Sequence, residues 1–438
     1  MRFTTAEVAL AVSGRAGDAT VVVAGVATDS RAVAGGELFV PLRAARDGHD
    51  FIETALAAGA AAYLTEGPTE AGGRDRAVVV ADAAAALSTL AAHGRRRLDA
   101  VVVGITGSVG KTTTKDLVSA AMAADRRTHA SRSSFNNSIG VPHTILNAPD
   151  DTEVLVLEMG ANAPGEIAQL CAVAAPVVGV VTRVAPAHTE GFGDIDGVAR
   201  AKAELVRALP ATGIAVLNAD DERVAAMAGL TPASVITYGA GGDVVVELVR
   251  LDPDLRPVIR ARTPWGELEA TVAARGAHQV TNAGAAIAVA GSQGVPLDGI
   301  AAGLERAELS AMRMDLRPGR GGLRVLDDSY NANPASVEAA LHALAATAGR
   351  RRVAVLGRMA ELGRDGAAAH RRIGELATSM AIEVVSVGAP EYGVEELGTA
   401  AAALDRLADL GDGDVVLVKG SRLEGLDALA AELRGGAR

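Results

Sequence analysis

A glycine-rich turn between an apolar run and a helical pattern constrains the fold of this chain more than any other feature. Residues 100–115 read AVVVGITGSVGKTTTK. A buried strand that ends in such a turn and opens a helix is typical of an open α/β domain. The backbone N–H groups of the turn and the N-terminus of the helix together form a cradle for phosphate groups. We therefore predict a phosphate-binding loop (P-loop) at this position.

The predicted loop supplies a cation and a hydroxyl group. We expect Lys111 to meet the β- and γ-phosphates of a nucleotide and the hydroxyl of Thr112 to bind Mg²⁺. Ile105 occupies the place of the first glycine of the usual motif, so a glycine turn without a ligand is the alternative. The nucleotide-binding residues predicted from the motif are Gly107, Ser108, Val109, Gly110, Lys111, Thr112 and Thr113.

The 438 residues are too many for one ordinary core, and the pattern of elements divides them into three blocks. We predict an α/β protein with a small mixed N-terminal domain (1–97), a central P-loop domain with a parallel sheet (98–309) and a C-terminal Rossmann-like domain (310–438). The central runs VLVLEM, VVGVVTR and GIAVLN are continuously apolar, as in strands buried on both faces. Residues 241–275 predict a β excursion. Helices are predicted near 50–60, 82–97, 111–123, 138–147, 164–173, 194–209, 335–348, 367–379 and 394–408.

Composition excludes several classes of protein. The net charge of −11 argues against broad nucleic-acid binding, which needs a basic face. The apolar runs have only the length of strands, so we expect no membrane span. The N-terminal residues lack the features of a signal peptide. Cys171 is the single cysteine, which excludes an intrachain disulfide and is consistent with a reducing environment. We therefore expect a cytoplasmic protein.

Lysine is rare in this chain. Of 42 basic residues, only Lys111, Lys115, Lys202 and Lys419 are lysine. Lysine differs from arginine in its compact charge and in an amine that can lose its proton and react. This usage suggests that the four lysines occupy places where a guanidinium group cannot substitute. The alternative is that they are merely left over in an arginine-rich composition.

Two strand ends and one helix carry further candidate residues. Glu158 ends one predicted buried strand, and His188 follows the next one. Ligands of open α/β sheets bind beyond the carboxyl ends of the strands, so both residues are candidate metal ligands beside the P-loop. Glu158 as a helix cap and His188 as an ordinary loop residue are the alternatives. Lys202 lies on a predicted amphipathic helix whose other basic residues are arginines, and a solvated lysine is the alternative there.

These motifs resemble the Mur ligases over essentially the whole chain. TGSVGKTT, Glu158, Ala187-His188 and Ala201-Lys202 follow the ATP-binding pattern of that family. The resemblance implies ATP and two Mg²⁺ ions, with Lys202 carbamylated by CO₂ and acting as a metal ligand together with Thr112, Glu158 and His188. It assigns catalysis to Lys111, Glu158, His188 and Lys202. It also assigns Asn282, in GAHQVTN, to the adenosine, and Arg313 and Asp328 to the phosphates and ribose. GAHQVTN departs from GHHNVYN, which family members often carry at this place.

Other segments indicate the substrates. The stretch from residue 28 to 62 is similar to the UDP-sugar-binding domain of these ligases, which implies that Asp29, Ser30 and Arg31 lie at the uridine diphosphate end. SSFNNSIGVPHTIL, EMGANAPGEIAQL, DDSYNANPAS and GRMAELG resemble the branch that adds D-alanyl-D-alanine to UDP-N-acetylmuramoyl-tripeptide through an acyl phosphate, with release of ADP and phosphate. From these segments we assign substrate binding to Asn136, Asn137, Tyr330, Asn331 and Asn333, and we expect a monomer.

Three alternatives remain at this point. A Mur ligase that adds a single amino acid would carry a DAHTP-like loop in place of DSYNANP, and a folylpolyglutamate-synthetase-like ligase would lack the UDP-binding domain. A nucleotide-dependent regulatory protein without catalysis predicts damaged motif residues, and the motifs are intact.

The asparagines of the DSYNANP loop also suit turn and helix-capping chemistry, so Asn333 can begin a helix while Asn331 faces nucleotide. For Tyr330, stacking and core packing stay open.

Overall fold

The computed structural model describes residues 1–67, 73–186 and 189–435. Its described strands form five sheets, and these fall into three successive parts of the chain. Among the described residues, no helix combines the length and the apolar character that a membrane crossing requires.

The N-terminal part is a small mixed α/β unit. A five-stranded sheet has the order β2-β7-β6-β5-β4, and β1 pairs with β3 in a separate antiparallel ladder. Asp82 accepts a hydrogen bond from the Ala85 N–H and so begins the helix that closes this part. The strands are β1 Arg2–Thr4, β2 Arg15–Ala16, β3 Val22–Ala24, β4 Val26–Ala27, β5 Leu38–Phe39, β6 Ala62–Thr65 and β7 Ala77–Val79, and the helices are α1 Thr5–Ala11, α2 Ile52–Ala57 and α3 Ala83–Arg95.

The central part is built on a six-stranded, all-parallel sheet. Its order is β13-β12-β11-β8-β10-β9, and a three-stranded antiparallel sheet, β14-β15-β16, follows it in the chain. The strands are β8 Val101–Thr106, β9 Thr128–Ala130, β10 Val154–Glu158, β11 Val178–Val181, β12 Ile214–Asn218, β13 Ser234–Tyr238, β14 Val245–Leu251, β15 Pro257–Thr263 and β16 Gly266–Thr271. The helices are α4 Lys111–Ala123, α5 Gly140–Leu146, α6 Glu166–Ala174, α7 Thr189–Phe192, α8 Ile195–Arg207, α9 Glu222–Ala225, α10 Gln279–Ser292 and α11 Leu297–Arg306.

The C-terminal part is a second doubly wound unit. Its sheet order is β17-β18-β22-β19-β20-β21, in which only the edge strand β17 runs antiparallel. The strands are β17 Asp315–Pro318, β18 Arg324–Asp327, β19 Arg352–Gly357, β20 Glu383–Val387, β21 Glu395–Leu397 and β22 Val415–Lys419, and the helices are α12 Pro334–Ala346, α13 Gly366–Ser379, α14 Ala400–Arg406 and α15 Leu426–Leu433.

The first two parts share one hydrophobic core. A continuous cluster of buried side chains runs from Met1 through helix α3 to α5, α6 and α8 of the central part. At this junction the N-terminal ammonium of Met1 donates to the carbonyl of Ala148 at 2.8 Å, and Asn147 exchanges hydrogen bonds with the backbone of Val26. The C-terminal part has its own cores on the two faces of its sheet.

The predicted fold class is confirmed, and most predicted elements are present within a few residues of their bounds. The β excursion over 241–275 is the antiparallel sheet β14-β15-β16. The single helix predicted near 394–408 is wrong. Residues 395–397 instead form β21, which pairs with β20, and Thr399 caps the separate helix α14 by accepting from the Ala402 N–H.

Candidate active site

The P-loop is held tightly between a neighbouring strand end and helix α10. Gly107 has a φ of 147°, and a Cβ there would collide with the Thr182 hydroxyl beyond β11. Gly110 has a φ of 84°, and a Cβ there would lie 2.6 Å from Oδ1 of Asn282. The Ser108 N–H donates to the carbonyl of Arg183 at 2.7 Å. Only glycine fits the two positions, because both the backbone conformation and the space exclude a side chain.

Lys111 opens helix α4 and folds back over the loop. Its Nζ donates to the carbonyl of Gly107 at 2.8 Å. Burial lowers the pKa of Lys111, the nearby Glu158 carboxylate acts in the opposite direction, and Arg313 adds to the lowering. Two cations and one carboxylate therefore meet at the phosphate end of the loop, where a phosphate group would be strongly attracted.

Glu158 ends β10 beside the P-loop strand β8, opposite Ile105. Its side chain is 1% exposed, and the Asn136 side-chain amide donates to its Oε1 at 2.7 Å. Its Oε2 is buried and has no hydrogen-bond partner among the described residues. A buried carboxylate oxygen without a donor is costly unless a cation binds it, so Glu158 fits the role of a metal ligand.

Lys202 lies on α8 with 2% of its surface exposed. Its Nζ is 5.4 Å from the centre of the Phe192 ring. Burial above all, and then the charge of Lys111, lower the pKa of Lys202 to about 7, against the opposing effect of Glu204 and Glu166. A substantial fraction of this amine is therefore neutral near pH 7. This excludes the solvated lysine considered above, because the side chain is out of water.

The donor set fits magnesium better than a transition metal. No group of three or more His, Cys, Asp or Glu side chains suited to a metal ion occurs in the described ranges. Mg²⁺ is commonly held by one or two carboxylates together with substrate phosphates and water. Glu158 and the buried hydroxyl of Thr112 supply oxygen atoms of this kind. The predicted ligand His188 lies outside the described residues.

Residues of the C-terminal part reach the P-loop. Arg313 Nη2 donates to Oγ1 of Thr112 at 3.2 Å, and its guanidinium carbon lies 4.2 Å from the centre of the Tyr330 ring. The hydroxyl of Tyr330 is hydrogen-bonded to Ser134 of the central part. Tyr330 therefore stacks on Arg313 rather than packing in the core. Asp328 is paired with Lys419, at 2.5 Å between Oδ2 and Nζ.

The asparagines of the DSYNANP loop take two roles. Asn333 is the N-cap of α12, because its Oδ1 accepts from the Ser336 N–H at 2.9 Å. The carbonyl of Asn331 accepts from Lys419 Nζ at 2.9 Å. Both asparagines line a small cavity of about 90 Å³ between the central and C-terminal parts of the chain. Its other lining residues are Ser108, Val109, Gly110, Lys111, Thr112, Thr113, Arg313 and Ser336.

A larger cavity of about 490 Å³ adjoins the other side of the P-loop and reaches Asn282. Asn282 accepts from the Thr114 hydroxyl and donates to Gln279. Burial lowers the pKa of His278 to about 4, so its imidazole is neutral at pH 7. Sequence reasoning missed several lining residues of this cavity. The strand-end rule could have found the group at the carboxyl end of β12: Asn218, Asp220 and Asp221. Thr182, Arg183, His278 and Thr281 also line it.

The structure does not bring every predicted residue to these cavities. Asp29 caps a short turn, and Arg31 Nη2 lies 2.6 Å from its Oδ2. Hydrogen bonds from Arg31 lower the pKa of Asp29 to about 2. Asp29, Ser30 and Arg31 line neither of the two cavities at the P-loop. Asn137 uses its Oδ1 to accept from the N–H groups of Ile139 and Gly140, which places it at the start of α5.

Comparison with known protein families matches all three parts of the chain to domains of one family. Three family models match successive segments of the chain: the Mur ligase family catalytic domain at residues 22–95, the Mur ligase middle domain at 105–290, and the Mur ligase glutamate ligase domain at 312–422.

Individual relatives agree over nearly the full length. A protein of Mycobacterium tuberculosis named UDP-N-acetylmuramoyl-tripeptide–D-alanyl-D-alanine ligase is 39% identical, over 99% of this chain and 98% of that protein. The solved structure of MurF from Acinetobacter baumannii has a TM-score of 0.89 at 30% identity and covers 99% of both chains. MurF ligase from Thermotoga maritima in complex with ADP has a TM-score of 0.79 at 29% identity, over 94% of this chain and 98% of that one. The chain belongs to the Mur ligase family.

Proposed function

We propose that this chain is the ATP-dependent ligase that joins D-alanyl-D-alanine to UDP-N-acetylmuramoyl-tripeptide, forming the pentapeptide precursor of peptidoglycan and releasing ADP and phosphate. Relatives that are 39% and 35% identical over at least 97% of the chain carry this name. The observation that carries the proposal is the small cavity at the P-loop, which Lys111, Thr112 and Arg313 line. Glu158, whose buried Oε2 has no hydrogen-bond partner among the described residues, acts electrostatically on Lys111 beside it.

The three parts of the chain divide the substrates. We place the UDP-linked substrate on residues 1–97, with its uridine diphosphate end at Asp29, Ser30 and Arg31. Residues 98–309 bind ATP, and residues 310–438 complete the nucleotide and acceptor sites. Asn282 serves the adenosine, and Arg313 and Asp328 serve the phosphates and ribose. We expect a monomer that acts in the cytoplasm.

The reaction has two steps. The terminal carboxylate of the tripeptide attacks the γ-phosphorus of ATP, and ADP leaves to give an acyl phosphate. The amine of D-alanyl-D-alanine then attacks the acyl carbon, and phosphate leaves as the amide forms. The P-loop N–H groups and Lys111 hold the phosphates in line, while Arg313 stabilises the charge that develops on the transferred group.

Two Mg²⁺ ions complete the charge balance of this site. Thr112, Glu158, His188 and the carbamate of Lys202 would hold them. When bound, the ions neutralise the triphosphate. Support for the carbamate comes from the burial of Lys202, which lowers the pKa of its amine to about 7, so that a substantial fraction is neutral near pH 7 and can react with CO₂. Arginine cannot replace it, because a guanidinium group stays protonated.

Two loops from different parts of the chain form the acceptor pocket. The hydroxyl of Ser134, in SSFNNSIGVP, is hydrogen-bonded to the hydroxyl of Tyr330, in DDSYNANPAS. Asn136 and Asn137 lie in the first of these loops, and Asn331 and Asn333 lie in the second. Such a pocket can pair with the peptide bond and the terminal carboxylate of a dipeptide. A single amino acid would leave part of those groups unpaired, at about 1–3 kcal/mol for each buried group.

The test is phosphate release with saturating ATP and UDP-N-acetylmuramoyl-tripeptide and a panel of amines: D-alanyl-D-alanine, D-alanine, meso-diaminopimelate and L-lysine. We expect D-alanyl-D-alanine to exceed D-alanine in turnover per acceptor concentration by about 10²-fold or more. Mass analysis of the product identifies the amide. A higher value for any single amino acid would contradict the dipeptide assignment, and no stimulation by any amine would contradict the ligase reaction.

A further inference from the structure

Two of the four lysines, Lys115 and Lys419, have no part in the chemistry proposed above. Their side chains are nevertheless among the most buried charged groups of the chain, at 2% and 1% exposure. Each forms an ion pair with an aspartate. Lys115 Nζ lies 2.8 Å from Oδ1 of Asp116, and Lys419 Nζ lies 2.5 Å from Oδ2 of Asp328. Buried ion pairs of this kind are costly to assemble and do not by themselves stabilise the fold.

Both aspartates hold the same short stretch of backbone, residues 310–314, which we call the arginine segment because Arg313 lies in it. Oδ2 of Asp116 accepts from the Ser310 N–H at 2.8 Å, and its Oδ1 accepts from the Ser310 hydroxyl at 3.2 Å. Oδ1 of Asp328 accepts from the Met314 N–H at 3.2 Å. The aspartates of the two ion pairs therefore bind the arginine segment at its two ends, with Arg313 between them.

The backbone of the arginine segment needs such support. Met312 and Met314, on either side of Arg313, have φ angles of 59° and 53°. Side chains other than glycine rarely adopt the left-handed region, and they keep it only where the surroundings fix it. Space beside the preceding residues is generous, because residues 307–311 border a cavity of about 420 Å³ and Glu308 also borders another of about 480 Å³. At the Ser310 end, the hydrogen bonds to Asp116 therefore carry the constraint. At the other end, Met314 is buried in the core of the C-terminal part and also donates its N–H to Asp328.

Helix α4 connects this support to the phosphate site. Thr112 and Asp116 lie one turn apart on α4 and so face the same side of the helix. Thr112 accepts from Arg313, and Asp116 accepts from Ser310, so the arginine segment runs along the first turns of the helix that Lys111 opens. Lys115 also donates to the carbonyl of Ser131 at 2.7 Å and to that of Ser133 at 3.1 Å, in the loop that leads to Asn136.

We propose that Lys115 and Asp116 are positioning residues of the ligase reaction, which set the Arg313 guanidinium at the phosphate end of the P-loop by fixing Ser310 to helix α4. The Lys419–Asp328 pair fixes the other end of the arginine segment. This inference rests on the proposed function in one respect, the assignment of Arg313 to the nucleotide phosphates.

A double-mutant cycle on ATP binding tests the proposal, because it asks whether the pair acts through Arg313. The replacement of both residues, Lys115→Met with Asp116→Leu, leaves no unpaired buried charge. We expect it to raise the Kd for ATP by about tenfold in the natural background, and by less than about twofold when Arg313→Ala is also present. Titration calorimetry without the peptide substrate measures both values, and circular dichroism confirms the fold.

Two further variants keep the test decisive. If the double replacement does not fold, Ser310→Ala removes only the hydroxyl contacts and should weaken ATP binding by about threefold, again only when Arg313 is intact. Asp414→Asn is the matched control, since Asp414 is a fully buried aspartate that pairs with Arg350 at the far end of β22. It should lower stability without changing the Kd for ATP.

The outcomes separate the two levels of inference. Equal fold-changes with and without Arg313 would overturn the positioning role and leave the proposed function intact. An unchanged Kd in Arg313→Ala alone would overturn the assignment of Arg313, and with it the positioning role. A loss of ATP affinity in Asp414→Asn equal to that of the test variants would show that the losses reflect general destabilisation.

Discussion

At the scale of single residues, the choice between lysine and arginine carries chemical information. Three of the four lysines are at most 2% exposed, and the fourth, Lys111, lies against its own P-loop. Arginine would have to bury a larger, permanently charged group at each of these places. The rarity of lysine agrees with this burial, and the inability of arginine to substitute at these places stays a prediction. The buried Lys115–Asp116 pair could not be foreseen, because its partners Ser131 and Ser310 are distant in the sequence.

A substitution at Lys202 tests the proposed carbamate directly. Lys202→Arg keeps the charge but cannot react with CO₂, so we expect it to lose turnover as severely as Lys202→Ala, by about 10²-fold or more. ¹³C NMR of the protein under ¹³CO₂ should show a carbamate signal that both variants lack. Arg200→Ala is the control, since Arg200 lies on the same helix with its side chain 68% exposed. An active Lys202→Arg enzyme would contradict the carbamate, and Lys202 would then be an ordinary buried lysine.

Asn136 shows where residue-scale prediction ended. The sequence assigned it to the substrate, and the structure shows it bonded to Glu158 across 22 positions of the chain. The strand-end rule identified Glu158 because it depends only on where a buried strand stops. Which side chain completes that carboxylate depends on the path of a loop, and no periodicity in the sequence records that path.

At the scale of elements, strongly periodic segments were predictable and weak ones were not. The buried strands β8, β10, β11 and β12 stand out as continuous apolar runs, and their helices follow the expected alternation. The prediction of one helix from residue 394 to 408 failed because β21 is a three-residue edge strand that exists through its pairing with β20. Tertiary pairing overrides the helical preference of its two glutamates.

Two glycines that precede helices offer a matched test of the P-loop. Gly110 before α4 and Gly165 before α6 have φ angles of 84° and 88°. Alanine at either position incurs a similar backbone cost of about 1–2 kcal/mol. A Cβ at Gly165 meets nothing within 4 Å, whereas one at Gly110 lies 2.6 Å from Asn282 Oδ1. We therefore expect both alanine variants to lower the melting temperature, and Gly110→Ala to lower it more because Asn282 must move.

Activity should separate the two variants. Gly110→Ala displaces the loop that positions the phosphates, so its kcat/KM for ATP should fall by more than about tenfold, because small misplacements at a reacting centre are costly. Gly165→Ala should retain kcat/KM within about twofold. Steady-state kinetics at a temperature well below both melting transitions makes the comparison. Equal kinetic losses would mean that the Gly110 position matters only through stability.

At the scale of the whole molecule, the cores do not follow the three parts one to one. The N-terminal and central parts share a continuous cluster of buried side chains through helix α3. The cores of the C-terminal part draw on residues from Met314 onward, with Leu255 from the β14–β15 connection as the one fully buried contribution from outside among the described residues. The molecule is therefore expected to unfold as two cooperative units rather than three, with residues 1–309 as one of them.

The single tryptophan makes this prediction measurable. Trp265 lies in the turn between β15 and β16 and packs on Gly291 of α10, so its fluorescence reports the central part only. Far-UV circular dichroism reports all three parts. In urea without nucleotide, we expect the two signals to give different midpoints, because the C-terminal unit changes the dichroism without changing Trp265. Saturating ATP binds both units in the native state only and should raise the midpoints of both transitions and bring them together.

Calorimetry provides the independent check, since a calorimetric enthalpy larger than the van't Hoff enthalpy indicates more than one unit. Coincident urea curves with equal enthalpies in the absence of ATP would show instead that the C-terminal part unfolds together with the rest, through its contacts with helix α4 and Leu255.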